Sequence, residues 1–164
     1  KKMQNVCVVK NIKKNLIILF YLLLIFIASL NQAYSQEDSL FLSLRNNKVH
    51  LRQGPSFDYP IKLIYKKKFL PVEVIDQLDN WRKIKDYESN TGWIHISQLS
   101  KKRTAINNKK NSIIFVRDTI YSKPLVKLEK GRLLLIKKCL ELWCKISSGS
   151  YTGWIRKENL WGKI

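Results

Sequence analysis

The stretches TGWIHISQL (91–99) and TGWIRKENL (152–160) decide the fold, because one pattern of glycine, tryptophan, alternating residues and a closing leucine occurs twice. A second tryptophan segment precedes each of them, DNWRKI at 79–84 and ELWCKI at 141–146. Two such pairs in the same order, at a period of about 61–65 residues, indicate an internal repeat.

The repeat extends upstream, where VHLRQGPSFDYP (49–60) is echoed by IFVRDTIYSKP (114–124). In the second copy Thr119 replaces Gly54, so the Gly-Pro turn is missing and we expect this loop to differ. The alignment of the two copies pairs Arg52 with Arg117, Pro60 with Pro124, Trp81 with Trp143, Gly92 with Gly153, Trp93 with Trp154 and Leu99 with Leu160.

Short segments with apolar residues on one face recur after residue 40, and turn residues such as glycine, proline and asparagine bound most of them. They include VEV (72–74), WRKI (81–84), WIHI (93–96), LLLI (133–136) and WCKI (143–146). No window in this part of the chain has the spacing of an amphipathic helix. The pattern therefore predicts an all-β fold.

These motifs together resemble the bacterial SH3-like domain family, in its secreted form with two repeats in tandem. The resemblance covers nearly all of residues 41–162. It implies two small SH3-like β-barrels of five or six strands each, at residues 40–100 and 112–162, with the basic segment 101–111 as a linker. Within that linker, Thr104–Ile106 could instead pair as a short edge strand. Because such small modules bury little surface alone, we expect the two copies to pack together.

The N-terminal residues 1–35 have the three parts of a secretory signal peptide. Lysines 10, 13 and 14 precede an apolar run at 16–30, and small residues at Ala33 and Ser35 suit cleavage after Ser35. Fifteen apolar residues fall short of the roughly 20 that span a bilayer, although an uncleaved membrane anchor is the alternative. We therefore predict a periplasmic or secreted protein, which would touch a membrane only if this segment stayed attached.

Cys139 and Cys144 align with Gln77 and Arg82 of the first copy, at the mouth of a predicted hairpin. Cross-strand neighbours there can satisfy disulfide geometry, and export favours a lasting bond. Because no histidine or further cysteine lies nearby in sequence, a zinc site is disfavoured. We predict a disulfide and no metal or cofactor.

Aromatic residues provide the candidate binding surface. Tyr59 and Tyr65, with Phe57, lie near the first long loop and are predicted to be exposed. Trp81 and Trp93 are interpreted either as barrel core and rim or as a flat shelf for sugar rings or an extended peptide. The sequence thus predicts a groove near Tyr59, Tyr65, Trp81 and Trp93. Gly92 and Gly153 are interpreted as points of close backbone approach.

Positive charge dominates the composition. The chain has 31 Lys+Arg against 12 Asp+Glu, a net +19; residues 1–35 hold five of the basic residues and none of the acidic ones, so +14 remains after cleavage. The lysine clusters are either a solvated surface or a means of attracting anionic envelope surfaces. Nucleic acid would suit the charge, but export argues against it.

Catalytic patterns are missing from the sequence. It has no GxSxG, HExxH or phosphate-binding glycine loop, and His50 and His95 occupy strand positions that face away from their apolar neighbours. Relatives in the resembled family often accompany cell-wall hydrolases as non-catalytic modules. We therefore predict an exported binding or scaffold module for peptidoglycan or an envelope protein. The alternatives are a protein–protein adaptor without wall affinity, then a polyanion binder or an enzyme.

Overall fold

A computed structural model describes residues 18–24, 40–162 and 164. The chain divides into two units, Lys1–Asp38 and Ser39–Ile164, and everything below concerns the second unit unless stated. Residues 18–24 are helical. The basic cluster and the cleavage position after Ser35 lie outside the described residues. Within the described part of the chain, no helix has the length and apolar character needed to cross a membrane.

The first repeat forms a seven-stranded antiparallel sheet in the order β3-β2-β6-β5-β4-β1-β7. A 3₁₀ turn at Ile96–Gln98 separates β6 from β7. The strands are β1 (Leu40–Leu44), β2 (Val49–Arg52), β3 (Ile61–Tyr65), β4 (Pro71–Leu78), β5 (Trp81–Lys85), β6 (Thr91–His95) and β7 (Leu99–Ser100).

The second repeat forms another seven-stranded sheet, in the order β10-β9-β13-β12-β11-β8-β14. Its strands are β8 (Thr104–Asn107), β9 (Ser112–Phe115), β10 (Pro124–Leu128), β11 (Leu133–Cys139), β12 (Trp143–Ser148), β13 (Tyr151–Arg156) and β14 (Leu160–Gly162), with a 3₁₀ turn at Lys157–Asn159. Each strand occupies the place of the strand seven earlier, so the predicted all-β tandem fold is confirmed. Each sheet has seven strands where the resemblance implied five or six, because the short closing strands β7 and β14 also pair.

Strand β8 lies inside the segment 101–111 that the sequence suggests is a linker. All four of its residues are buried. It pairs with β11 on one side and β14 on the other, as β1 pairs with β4 and β7 in the first repeat. Pairing on both sides makes β8 part of the second barrel. The connection between the two sheets is therefore residues 101–103, shorter than the predicted linker 101–111.

The hydrogen bonds that close the long loops show which residues of the two repeats are structurally equivalent. The Gln53 N–H donates to Pro60 O at 3.1 Å, and the Val116 N–H donates to Lys123 O at 3.1 Å. Both loops therefore span the same number of residues, although the second lacks the Gly-Pro turn. Pro60 is equivalent to Lys123, one residue before Pro124, with which the sequence alignment had paired it.

The same equivalence corrects the alignment of β2 with β9. Arg52 pairs with Trp93, and Phe115 pairs with Trp154. Phe115, two residues before Arg117, therefore occupies the position of Arg52. The sequence alignment matched like residues, whereas strand register depends on which residue faces the glycine-tryptophan strand.

Each barrel has its own hydrophobic core. The first contains Leu44, Val49, Leu51, Tyr65, Val72, Ile84, Ile94 and Leu99. The second contains Ala105, Ile114, Leu128, Leu134, Ile136, Cys144, Ile146, Ile155 and Leu160. Alternate residues along the central strands supply most of these side chains, which is the period-two pattern of a half-buried sheet.

The disulfide predicted between Cys139 and Cys144 is present. The two residues face each other across β11 and β12, as Gln77 and Arg82 do across β4 and β5. Cys144 is fully buried in the second core. The bond therefore clamps the hairpin from inside the barrel.

Side chains of the two repeats pack against each other, as expected. The Trp161 ring meets Phe41 edge-on at 5.1 Å between centroids and Tyr87 at 5.6 Å. The Tyr87 hydroxyl lies 3.0 Å from Asn108 Oδ1, to which it donates. One aromatic side chain of the second repeat thus bridges two of the first.

Candidate functional site

The four aromatic residues predicted to form one groove occupy different environments. Tyr59 is exposed and Trp93 is partly buried, but Tyr65 and Trp81 retain only 7% and 8% of their exposure. The structure therefore does not present all four rings on one open surface.

Tyr65 belongs to the core, which corrects the expectation that it is exposed. It pairs with Val49 across β2 and β3, and paired residues point to the same face, here the inside of the barrel. Its hydroxyl donates to Asp86 Oδ2 at 2.9 Å. Burial, reinforced by the Asp86 carboxylate, raises the pKa of Tyr65 far above its usual value, so the phenol stays protonated.

Trp81 lies on the outer face of the sheet but is covered by its neighbours. The Phe57 ring packs against it at 4.9 Å between centroids and the His95 ring at 5.3 Å. The Arg52 guanidinium holds the covering loop in place by donating to the carbonyls of Phe57 and Tyr59, at 2.9 and 2.7 Å. Trp81 therefore supports the loop that presents Tyr59.

Trp93 borders a shallow depression, which we call the Trp93 depression. Its volume is about 370 Å³. It is lined by Gln53, Lys62, Lys83, Thr91, Gly92 and Trp93. The Lys62 ammonium donates to Thr91 O at 3.0 Å. A flat aromatic side chain beside two ammonium groups suits a ligand that offers a sugar face or apolar group together with a carboxylate.

Gly92 makes the predicted close approach to the neighbouring strand. A Cβ atom at this position would lie 2.7 Å from Arg52 O and 2.7 Å from Leu51 Cγ. Gly153 stands in the same relation to Phe115 O, at 2.5 Å. Both glycines therefore let β6 and β13 lie close to the backbone of the strand beside them, immediately before the tryptophan that follows.

The equivalent surface of the second repeat is built differently. The Lys138 ammonium lies 5.4 Å from the centre of the Trp154 ring, so a cation already covers the tryptophan equivalent to Trp93. Phe115 packs on Trp143 at 5.8 Å, where the first repeat has the Arg52 anchor. The two repeats therefore share a fold but not a surface.

A second concavity, which we call the inter-repeat groove, lies where the barrels meet and has a volume of about 410 Å³. Its first-repeat lining includes Leu63–Lys67 and Asp86–Glu88; Ile106 and Gly131 come from the second repeat. The sequence analysis did not find this groove, since it exists only through the packing of the repeats.

Most of the positive charge is not neutralised by ion pairs. Among residues 40–162 the ion pairs within 4 Å are Lys85–Glu73 at 2.8 Å and Arg156–Glu158 at 3.7 Å. The cluster Lys66–Lys68 is exposed. These ammonium groups can therefore attract anions over a distance of about 8–10 Å at ordinary ionic strength.

The two histidines lie on the outer face of the first repeat. His95 Nδ1 lies 2.7 Å from Ser97 Oγ, and its ring packs on Phe57 and Trp81. His50 faces Ile64 across β2 and β3. In the part of the chain that the structure describes, no three histidine, cysteine or acidic side chains come close enough to hold a metal ion.

Comparison with solved structures finds a partial likeness to several, including two proteins from Trichomonas vaginalis. NlpC2 from Trichomonas vaginalis is 13% identical, with 79% of this chain and 50% of that chain covered and a TM-score of 0.35. NlpC1 from Trichomonas vaginalis is 12% identical, with coverages of 78% and 47% and a TM-score of 0.34. The chain spans about half the length of either structure, and similarity at this level carries no argument about function. No curated protein matches the chain.

The family comparison is more specific. The model described as "Bacterial SH3 domain" matches residues 45–101 and again residues 119–162. The first region covers β2 to β7 and the second covers β10 to β14, and together they make up more than half of the sequence. The chain therefore belongs to the bacterial SH3 domain family and carries two copies of the domain in tandem.

Proposed function

We propose that this protein is a non-catalytic, exported module of the bacterial cell envelope that binds peptidoglycan. The observation that carries the proposal is the pair of bacterial SH3 domains, which account for nearly all of residues 40–162. Modules of this kind often accompany cell-wall hydrolases, and binding rather than catalysis is their usual contribution.

Export to the periplasm or beyond is part of the proposal. The Cys139–Cys144 disulfide is consistent with an oxidising compartment outside the cytoplasm. The signal-peptide pattern of residues 1–35 supplies a route there, with cleavage after Ser35.

The Trp93 depression is the proposed wall-binding surface. The glycan strands of peptidoglycan present sugar faces that stack on aromatic rings, and its stem peptides carry carboxylates that would lie near Lys62 and Lys83. Tyr59, whose backbone carbonyl accepts a hydrogen bond from Arg52, adds an exposed ring on the adjoining loop. The lysine clusters add longer-range attraction that salt can screen.

Sedimentation of the purified protein with sacculi tests this proposal. We expect part of the bound protein to remain bound at about 0.5 M salt, where charge-only adhesion is largely screened. Trp93→Ala should remove the salt-resistant fraction. Trp154→Ala is the matched control, because Lys138 already covers that ring, and it should retain the fraction.

Two results would contradict wall recognition. Binding that disappears entirely with salt would reduce the interaction to surface charge. Equal loss in the two tryptophan variants would show that the Trp93 depression is not the site. A salt-insensitive, stoichiometric complex recovered from detergent-solubilised envelopes would instead favour the adaptor function, which the exposed edge strand β3 supports.

A further inference from the structure

Strand β3 (Ile61–Tyr65) is the free edge of the first sheet. Among the described residues it pairs only with β2. The backbone N–H of His50 donates to Gln98 Oε1 at 3.2 Å, on the side of β2 away from β3. Since antiparallel residues exchange both hydrogen bonds or neither, His50 and Ile64 form a non-hydrogen-bonded pair. The N–H and C=O of Ile64 therefore point outward, where another strand could bond to them.

Three of the five side chains of this edge are apolar and exposed, and the ammonium of its one lysine, Lys62, is turned to Thr91 O at 3.0 Å. Ile61, Leu63 and Ile64 keep 43%, 36% and 41% of their surface accessible. Natural proteins usually protect an edge of this kind with charge, proline or a covering segment, because it templates pairing with another chain. An apolar edge left open in the folded protein is a candidate for strand addition.

The second repeat carries the usual protection at the equivalent place. Tyr65 pairs with Val49, and Leu128 pairs with Ser112 at the matching position of β9 and β10. Lys127 therefore stands where the first repeat has Ile64. Its strand also begins with a proline. Each edge strand thus carries one lysine, but at the position whose N–H and C=O point outward the first repeat has Ile64 and the second has Lys127.

The carboxyl end of β3 leads into the inter-repeat groove. Ile64 lines the groove, as does Ile106 of the second repeat, so the groove offers an apolar pocket beside the open edge. Lys66 and Lys67 follow directly and are exposed.

The groove lining holds two acidic residues, Asp86 and Glu88, against Lys66 and Lys67, and the adjacent exposed Lys68 leaves the local charge balance positive. Asp86 is buried, and its carboxylate accepts hydrogen bonds from Tyr65, Asn90 and the backbone N–H of Glu88. That carboxylate is therefore already satisfied within the fold. The groove therefore offers apolar side chains next to an exposed lysine cluster.

We propose that the β3 edge and the inter-repeat groove together bind an extended acidic peptide segment of another envelope protein by strand addition. Its backbone would bond to the N–H and C=O of Ile64, an apolar side chain would enter the groove, and a carboxylate would lie near Lys66 and Lys67. A second copy of this chain fits less well, since antiparallel pairing of two such edges about Ile64 would place Lys66 of each copy opposite Lys62 of the other. The proposal is independent of wall recognition, because it uses a different surface.

Titration calorimetry with synthetic peptides provides the test. The probes are N-acetyl-TVTVLEE-amide and the reversed sequence EELVTVT, which together allow both strand directions. At low salt we expect saturable binding of at least one. Replacing both glutamates by glutamine should weaken it about tenfold, the effect of losing a charge-assisted hydrogen bond. Methylating alternate backbone nitrogens on the pairing edge of the peptide should abolish it.

The chain itself supplies the matched variant. Ile64→Lys installs the residue of the second repeat, so it should fold with an unchanged melting profile and bind the peptides at least about tenfold more weakly. Ile64→Pro, which removes the outward N–H, should do the same. Both variants should still sediment with sacculi, which separates this proposal from the previous one.

Three outcomes would overturn the proposal. One is that neither peptide binds. Another is that Ile64→Lys binds as tightly as the wild type. The third is a concentration-dependent dimer, measured by sedimentation velocity, that Ile64→Lys abolishes, because the edge would then serve pairing between two copies of this chain.

Discussion

Replacing Gly92 by alanine tests the packing that positions the tryptophan surface. The new Cβ would lie 2.7 Å from Arg52 O and from Leu51 Cγ, with Leu51 Cδ1 at 2.9 Å. Carbon–oxygen contacts in sheets normally fall at about 3.3–3.6 Å, so the two strands must separate by roughly half an ångström or more. The Leu51 side chain can adjust, but a backbone carbonyl within the sheet cannot move alone.

Two opposing effects set the size of the destabilisation. Crowding of a packed interior costs about 1–3 kcal/mol, and contact with backbone places Gly92→Ala at the upper end. Restricting the unfolded chain by removing a glycine returns about 0.4–1 kcal/mol. The cost of crowding is larger than the gain from restricting the unfolded chain, so we expect a net loss of about 2 kcal/mol in the free energy of unfolding.

Urea unfolding followed by circular dichroism measures this loss. Gly131→Ala is the control: beyond its two chain neighbours, no atom lies within 4 Å of its Cβ position, and only its φ of +84° opposes a side chain. Phe69 at the equivalent turn already adopts a φ of 67°, so we expect the control to lose no more than about 1 kcal/mol. Gly153→Ala should behave like Gly92→Ala. A Gly92→Ala variant as stable as wild type would refute the close-approach argument.

Three further predictions concern the core, the disulfide and the contact between repeats. Tyr65→Phe should cost about 1 kcal/mol at neutral pH, because Asp86 loses a donor. The pKa of Tyr65 is raised in the folded state, so the unfolded chain loses the phenol proton first as the pH rises. The Tyr65 phenol should therefore leave wild-type stability unchanged below pH about 10. Above that pH the free energy of unfolding should fall by about 1.4 kcal/mol per pH unit. The stability difference between wild type and Tyr65→Phe, measured by urea unfolding from pH 8 to 11, should therefore shrink; a constant difference would contradict the assigned pKa. Reducing the Cys139–Cys144 bond should lower the free energy of unfolding by about 2 kcal/mol, the chain-entropy value for so short a loop, and denaturant midpoints with and without reductant measure it. Trp161→Ala should cost about 2 kcal/mol, less than for a fully buried tryptophan, and separate the unfolding of the two repeats into two calorimetric transitions; one unchanged transition would show that Trp161 does not couple them.

Much of the fold could be predicted because the informative signals are local. Alternation identified the strands, and the repeated glycine-tryptophan segments identified two copies of one module. The hairpin alignment placed Cys139 opposite Cys144, since a hairpin brings residues close in sequence into register. The role of Gly92 was also predictable, as a strand glycine before a conspicuous aromatic residue indicates crowding.

The candidate site was harder to predict, for a reason visible in β3. The strand reads IKLIY, with apolar residues at four of five positions, so alternation cannot tell which face is inside. Tyr65 points inward because its partner Val49 does, and this depends on register across strands. Register across strands also explains why the residue equivalent to Arg52 is Phe115 and not Arg117.

The sequence by itself determined the all-β class, the tandem repeat, the disulfide partners and the basic character, because each depends on composition or on neighbours within one hairpin. Only the tertiary structure decided which aromatic rings are covered and that β8 completes the second barrel. It also decided that a groove forms between the repeats, and that Ile64 lies at an edge position where the second repeat has Lys127. These features depend on pairing between segments distant in sequence, where many registers satisfy the same local pattern and packing selects one of them.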